Sequence, residues 1–179
     1  MSPSRQAALL RGINVGKAKR VAMADLRALV AELGFGDVRT LLNSGNVVYT
    51  APDTPPGEAA ARIEEAIRAR TGVASRVTVL TAAEVAEAVA ANPWRDEVRE
   101  PSRLLVTVLR DRADAARLAP LLERDWGTSR LAVAGRIAYV WCPDGVLESP
   151  LPDELARALG DRVTSRNWAT LLKLHALLT

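Results

Sequence analysis

Residues 7–10, Ala7-Ala8-Leu9-Leu10, are apolar without interruption and run straight into Arg11-Gly12-Ile13-Asn14-Val15-Gly16. A strand sends successive side chains to opposite faces, so an apolar run that does not alternate needs cover on both faces. An open sheet with one wet face is therefore excluded for this segment. Residues 104–109 repeat the pattern as Leu104-Leu105-Val106-Thr107-Val108-Leu109, and a second central strand is expected there. The exit from the first strand has to be sharp, since Gly12 and Gly16 admit positive φ and Asn14 tolerates the left-handed region better than most residues.

Taken in order, residues 6–11 read as a strand and 12–20 as its exit loop. Met23, Leu26, Leu29, Val30 and Leu33 fall at helical spacing, with Gly34 and Gly36 closing that helix. Residues 37–42 and 47–49 are strands joined through the tight turn Asn43-Ser44-Gly45-Asn46. Residues 52–57 carry three prolines and a glycine and are expected to be loop. A second helix presents Ala59, Ile63 and Ile67 on one face and stops at Gly72, before a strand at 76–80. Thr81 and Glu84 have capping-box spacing at the head of a connecting helix that Asn92-Pro93-Trp94 ends.

The charged stretch at 95–102 is the expected boundary between two halves. Beyond it come the strand at 103–109, a helix at 111–125, a hairpin formed by 130–133 and 137–141 around Ala134-Gly135-Arg136, a short helix ended by Gly160, and a final helix at 166–178. Strand, helix, hairpin thus recurs. The expected architecture is α+β: two ferredoxin-like, split βαββαβ units in tandem, with antiparallel sheets and helices packed on one face. The first unit with its connecting helix covers 1–94, and a second, incomplete unit with the C-terminal helix covers 103–179.

Composition narrows the class. With 179 residues, 49% of them hydrophobic and only 4% aromatic, the core has to be built from small and medium aliphatics, with Trp94, Trp126, Trp141 and Trp168 as its few bulky anchors. A single cysteine, Cys142, forbids an intrachain disulfide and fits a reducing compartment. One histidine, His175, leaves no His/Cys cluster for zinc, so neither metal nor cofactor is expected. No stretch suits a signal peptide or reaches the roughly 18 apolar residues that cross a bilayer, so a cytoplasmic protein without membrane partners is expected. The formal charge of +3 is too mild to identify a polyanion binder by itself.

The local charge is more informative. Arg11, Lys17, Lys19 and Arg20 fall within ten residues that contain no acid. In a split βαββαβ sheet the spatial strand order is four, one, three, two, so the exit of strand one lies beside the start of strand three. Arg11 and Asn14 are then expected next to Ser44, Gly45 and Asn46, with Lys17, Lys19 and Arg20 overhanging them as an anion-binding edge. Turn chemistry alone accounts equally for the glycines and asparagines. A second polar concentration is Thr164-Ser165-Arg166-Asn167, where Thr164 or Ser165 would cap the last helix while Ser165, Arg166 and Asn167 offer donors to an anion.

Three segments in order, Leu9 to Gly16, Asn43 to Val48, and Thr164 to Trp168 with Thr170, Leu172, Lys173 and Leu174, resemble the bacterial family called domain of unknown function 1697. The resemblance spans nearly the whole chain and implies tandem ferredoxin-like α+β units. It implies no activity, and the loop Gly16-Lys17-Ala18-Lys19-Arg20 is less regular than the Gly-Lys-rich loop of related chains.

Three classes of function stand at this point. The first is a binding module for a nucleotide or nucleic-acid phosphate. The second is an enzyme on a small phosphorylated or carboxylated substrate, for which no catalytic residue is identified: no Ser/His/Asp constellation or phosphate-cradling loop is present, and Ser44 has no evident base. The third is an interaction or structural protein, with a homo-oligomer as one way of covering the second sheet faces.

Overall fold

The computed structural model describes residues 2–179. The elements run β1 (Ser4–Leu10), α1 (Met23–Glu32), β2 (Gly36–Leu41), β3 (Asn46–Ala51), α2 (Pro56–Thr71), β4 (Val77–Thr81), α3 (Ala82–Ala90), β5 (Leu104–Leu109), α4 (Ala119–Leu122), β6 (Arg130–Ala134), β7 (Ile137–Trp141), α5 (Leu151–Leu159), β8 (Val163–Asn167) and α6 (Trp168–Leu178). The chain is α+β, with two four-stranded sheets ordered β2-β3-β1-β4 and β6-β7-β5-β8. Every neighbouring pair is antiparallel. By its contacts it divides into Met1–Val85 with Leu174–Thr179, and Ala86–Lys173, whereas the sequence expectation put the division at 95–102. Among the described residues no helix is long and apolar enough to cross a membrane.

In the first unit one face of the sheet supplies Ala8, Leu10, Val47, Tyr49, Val77 and Val79 to a core closed by α1 and α2. Leu26, Leu29 and Val30 come from α1, and Ala59, Ile63 and Ile67 from α2, as their spacing requires. Each large aliphatic so buried contributes roughly 1.5–3 kcal/mol. Ala7, Leu9, Val48 and Leu80 point to the opposite face and are also buried, which is why β1 shows no alternation. The hydroxyl of buried Tyr49 donates to Gln6 Oε1 at 3.1 Å and Gln6 Nε2 donates to the Thr54 carbonyl at 2.8 Å, so these polar groups keep partners in the interior.

The capping box is present: Glu84 N–H donates to Thr81 Oγ1 at 3.1 Å, and Thr81 N–H to Glu84 Oε2 at 2.8 Å. Proline at 56 opens α2 instead of extending the loop, because the first helical position needs no N–H donor. Gly72 ends α2 at φ 71°.

The second unit departs from expectation in two places. The helix expected at 111–125 is a 3-10 segment, Arg112–Leu118, followed by the single turn α4. Asp111 and Asp114 form a capping box that fixes the tight start, and Pro120 lies in the first turn of α4, where it can open a new helix but not continue the old one. Residues 163–167 form the strand β8, paired along β5 from Leu105↔Asn167 to Leu109↔Val163, and complete a four-stranded sheet where three strands were expected. The last helix therefore starts at Trp168, not 166, and its cap is Asn167: Oδ1 accepts from Thr170 N–H at 2.9 Å and from Thr170 Oγ1 at 3.0 Å. Cys142 is fully buried in the apolar cluster with Val140, Leu151 and Leu155, as an inert packed thiol would be.

Gly45 is the backbone position on which the first unit's loops close. Its φ is +88°, and a Cβ there would lie 2.7 Å from Ile13 Cδ1 and 2.8 Å from Leu10 Cβ. Gly45→Ala is expected to cost about 2–4 kcal/mol in urea denaturation through strain and overpacking together. Gly57→Ala, inside α2 with open space around it, should be neutral or stabilising by up to about 1 kcal/mol. Equal effects at the two positions would contradict this reading.

Candidate functional site

The two loops singled out in the sequence are neighbours. Leu9 pairs with Asn46 across β1 and β3, and Leu10 N–H donates to the Gly45 carbonyl at 2.8 Å. On the other side of β1, Arg11 N–H donates to the Arg76 carbonyl at 2.9 Å and Ser75 Oγ to the Arg11 carbonyl at 2.9 Å. Arg11 is thus held by its main chain between the starts of β3 and β4, with a half-buried side chain.

Asn14 is the tie between the loops. Its φ is 54°, and its N–H donates to the Lys19 carbonyl at 3.0 Å, closing the loop on itself. Both of its amide hydrogens are committed: Nδ2 donates to the Val21 and Asn43 carbonyls, both at 2.8 Å, and Oδ1 accepts from Val21 N–H at 2.9 Å. Asn46, buried, similarly donates Nδ2 to the Leu41 carbonyl at 2.8 Å and to Ser44 Oγ at 3.0 Å. The turn spans 42–45, one residue earlier than expected, and Asn46 is the first residue of β3. Both asparagines therefore build the edge, with their donors already committed to the protein.

What the scaffold presents to solvent is the cationic segment. Lys17, Lys19 and Arg20 are all exposed, and so is Ser44. Lys19 takes φ 51° in the same bend that Asn14 closes, so the backbone that carries these charges is bent by a hydrogen bond within the loop. Two apolar side chains stand out beside them: Val15 is 71% exposed and Leu42 is 49% exposed at φ 59°. They flank the Asn14–Asn43 bridge, one on each loop, and neither was singled out from the sequence. A lone exposed Val or Leu is common, and only their shared position draws notice.

The second unit repeats the strand-end frame with different side chains. Leu109 N–H donates to the Arg136 carbonyl and Arg110 N–H to the Arg162 carbonyl, both at 2.8 Å, matching the bonds of Leu10 and Arg11. There two carboxylates engage one of the arginines. Arg162 Nε donates to Asp114 Oδ1 and Oδ2 at 2.9 and 3.1 Å, and its Nη2 to Asp111 Oδ2 at 2.8 Å. The Arg162 hydrogen bonds hold the Asp114 carboxyl below the usual carboxylate range. Where the second unit follows its first strand with Asp111 and Asp114, the first follows its own with Gly12 and Val15, and then three cations.

Ser165, Arg166 and Asn167 lie on β8 of the second unit. Ser165 Oγ shares a 2.8 Å hydrogen bond with Thr107 Oγ1 across β5 and β8, Arg166 Nη1 donates to the Ser165 carbonyl at 2.9 Å, and Asn167 caps α6. Burial pushes the Arg166 guanidinium down to about 10. These three residues belong to strand pairing and capping, not to a helix start open to an anion. A cavity of about 360 Å³ in the first unit is lined by Glu64, Glu65, Arg68, Ser75 and Arg76 together with two alanines, and none of the expected site residues borders it. Its acids have work of their own: Glu65 pairs with Arg68 at 2.5 Å, and Glu64 Oε1 accepts from Val77 N–H at 2.8 Å. Among the described residues no group of three His, Cys, Asp or Glu side chains could hold a metal.

The Asn14 tie makes a direct prediction. Asn14→Ala removes three side-chain hydrogen bonds and should cost about 2–4 kcal/mol in urea denaturation. Asn43→Ala should stay within about 1 kcal/mol, because Asn14 grips the Asn43 carbonyl at 2.8 Å while the side-chain oxygen sits at 3.5 Å. A larger loss at 43 than at 14 would contradict the assignment.

No curated protein matches the chain. A solved structure of a conserved bacterial protein from Streptococcus pneumoniae shares the fold, at a TM-score of 0.82 and 21% identity over 99% of this chain and 100% of its own. Residues 4–139 match the family model described as protein of unknown function DUF1697. With three quarters of its length and its overall fold accounted for in this way, the chain belongs to the DUF1697 family.

Proposed function

We propose that the protein is a binding module for an anionic ligand, a nucleotide or nucleic-acid phosphate, at the loop edge of its first sheet, and that its two units are ferredoxin-like folds in tandem. The observation that carries this reading is the Asn14 carboxamide. By bonding to both Val21 and Asn43 it ties the main chain of the loop that bears exposed Lys17, Lys19 and Arg20 to the turn before β3. A loop backbone fixed in advance leaves only side-chain freedom to be lost on binding, and preorganisation of this kind raises affinity without new contacts.

The face of the sheet does not serve as the binding surface in this reading. RNA readers of this fold stack bases on aromatics of the central strands. Here the one aromatic of β1 and β3 is Tyr49, which is fully buried and bonded to Gln6. Contacts from the edge to phosphates remain, with Arg11 and Ser44 beside the three exposed cations.

The reading is tested by salt. If Lys17, Lys19 and Arg20 each neutralise one phosphate, the logarithm of affinity should fall against the logarithm of salt with a slope of about −2.7 for duplex DNA or about −2.1 for a single strand. Replacing all three by glutamine should leave binding weak and nearly independent of salt. A flat response in the unmodified protein, followed by fluorescence anisotropy of a labelled oligonucleotide, would overturn the proposal.

A further inference from the structure

The geometry of the edge points to a double-stranded nucleic acid as its ligand, with Val15 and Leu42 seated against the groove between phosphates held by Lys17, Lys19 and Arg20. This inference rests on the anion-binding reading above and adds the form of the ligand and two contact residues.

Three observations select a duplex. Lys17, Lys19 and Arg20 stand in open solvent at a loop, whereas sites for small phosphorylated molecules are concave and bury most of the ligand. Charges carried in this way suit a ligand that brings its own extended surface. Second, the edge offers no aromatic side chain: residues 11–20 and 42–46 contain no Phe, Tyr or Trp. Recognition of single strands depends on stacking of bases on aromatic side chains, and this edge lacks the means for it.

Third, the two loops each carry an exposed apolar residue. Val15 follows Asn14 and Leu42 precedes Asn43, the two residues whose 2.8 Å bond joins the loops. Leu42 is held at φ 59°, a region that bulky side chains rarely adopt, so its presentation carries local strain. Short aliphatic side chains of this kind make apolar contacts with groove walls and thymine methyl groups, while neighbouring cations meet the phosphates on either side.

The test compares four probes against the intact protein at one ionic strength: a 20-base-pair DNA duplex, one of its single strands, ATP, and vesicles containing phosphatidylserine. The duplex should bind several-fold more tightly than the single strand, and ATP should compete only in the millimolar range. The double variant Val15→Ser, Leu42→Gly should weaken duplex binding by about fivefold or more while leaving the salt slope unchanged, since apolar contacts release no counterions. Glycine suits the backbone at position 42, so the variant should fold, which a thermal melt verifies. Equal or tighter binding of the single strand, displacement by ATP at duplex concentrations, vesicle capture in place of duplex binding, or an unaltered affinity of the variant each overturns this inference and leaves the anion reading standing. Failure to bind any of the four probes overturns both.

Discussion

Antiparallel pairing of β1 with β3 is the constraint from which the first unit's edge follows. Residues 11 and 45 are far apart in the chain, yet Leu9 faces Asn46 and Leu10 bonds to Gly45, so the exit of one strand has to meet the turn that starts the other. The pairing itself is fixed by burial. β1 is covered on both faces, and a slip of one residue would exchange Ala8 and Leu10, which pack against α1 and α2, with Ala7 and Leu9 on the far face. Gly45 then admits Leu10 and Ile13 at a distance no side chain would allow.

On that frame the polar residues divide into two groups with separate tasks. Asn14 and Asn46 spend their hydrogen-bonding capacity on backbone carbonyls, where it satisfies loop groups that would otherwise be left without partners. Lys19 takes part in the bend through its carbonyl, and Lys17, Lys19 and Arg20 are all exposed. The second unit has the same strand ends but places Asp111 and Asp114 after its first strand, where they pair with Arg162, while the first unit has Gly12 and Val15 at the matching positions.

Much of the fold could be read from residue order. The apolar runs at 7–10 and 104–109, the spacing of Leu26, Leu29 and Val30, and the Thr81–Glu84 box each act locally and have the expected outcome. What could not be read depends on partners distant in sequence. Val163-Thr164-Ser165-Arg166-Asn167 has polar residues with no strand pattern of its own and becomes β8 because β5 offers an open ladder, including the Thr107–Ser165 hydroxyl pair. Asn14 and Asn46 looked like ligand donors for the same reason: their residue type states a capacity to bond, while the acceptors at Leu41 and Asn43 emerge only once the strands are side by side. Val15 and Leu42 gave no signal at all, since exposure and backbone strain are properties of the folded loop.

Whether the two loops act together as one binding edge is read from amide chemical-shift mapping of the isotopically labelled protein titrated with a short DNA duplex. The account predicts that perturbed amides cluster at residues 11–20 and 42–46 and move together along one titration curve. Perturbation of one loop without the other, or shifts confined to the second unit, would contradict it.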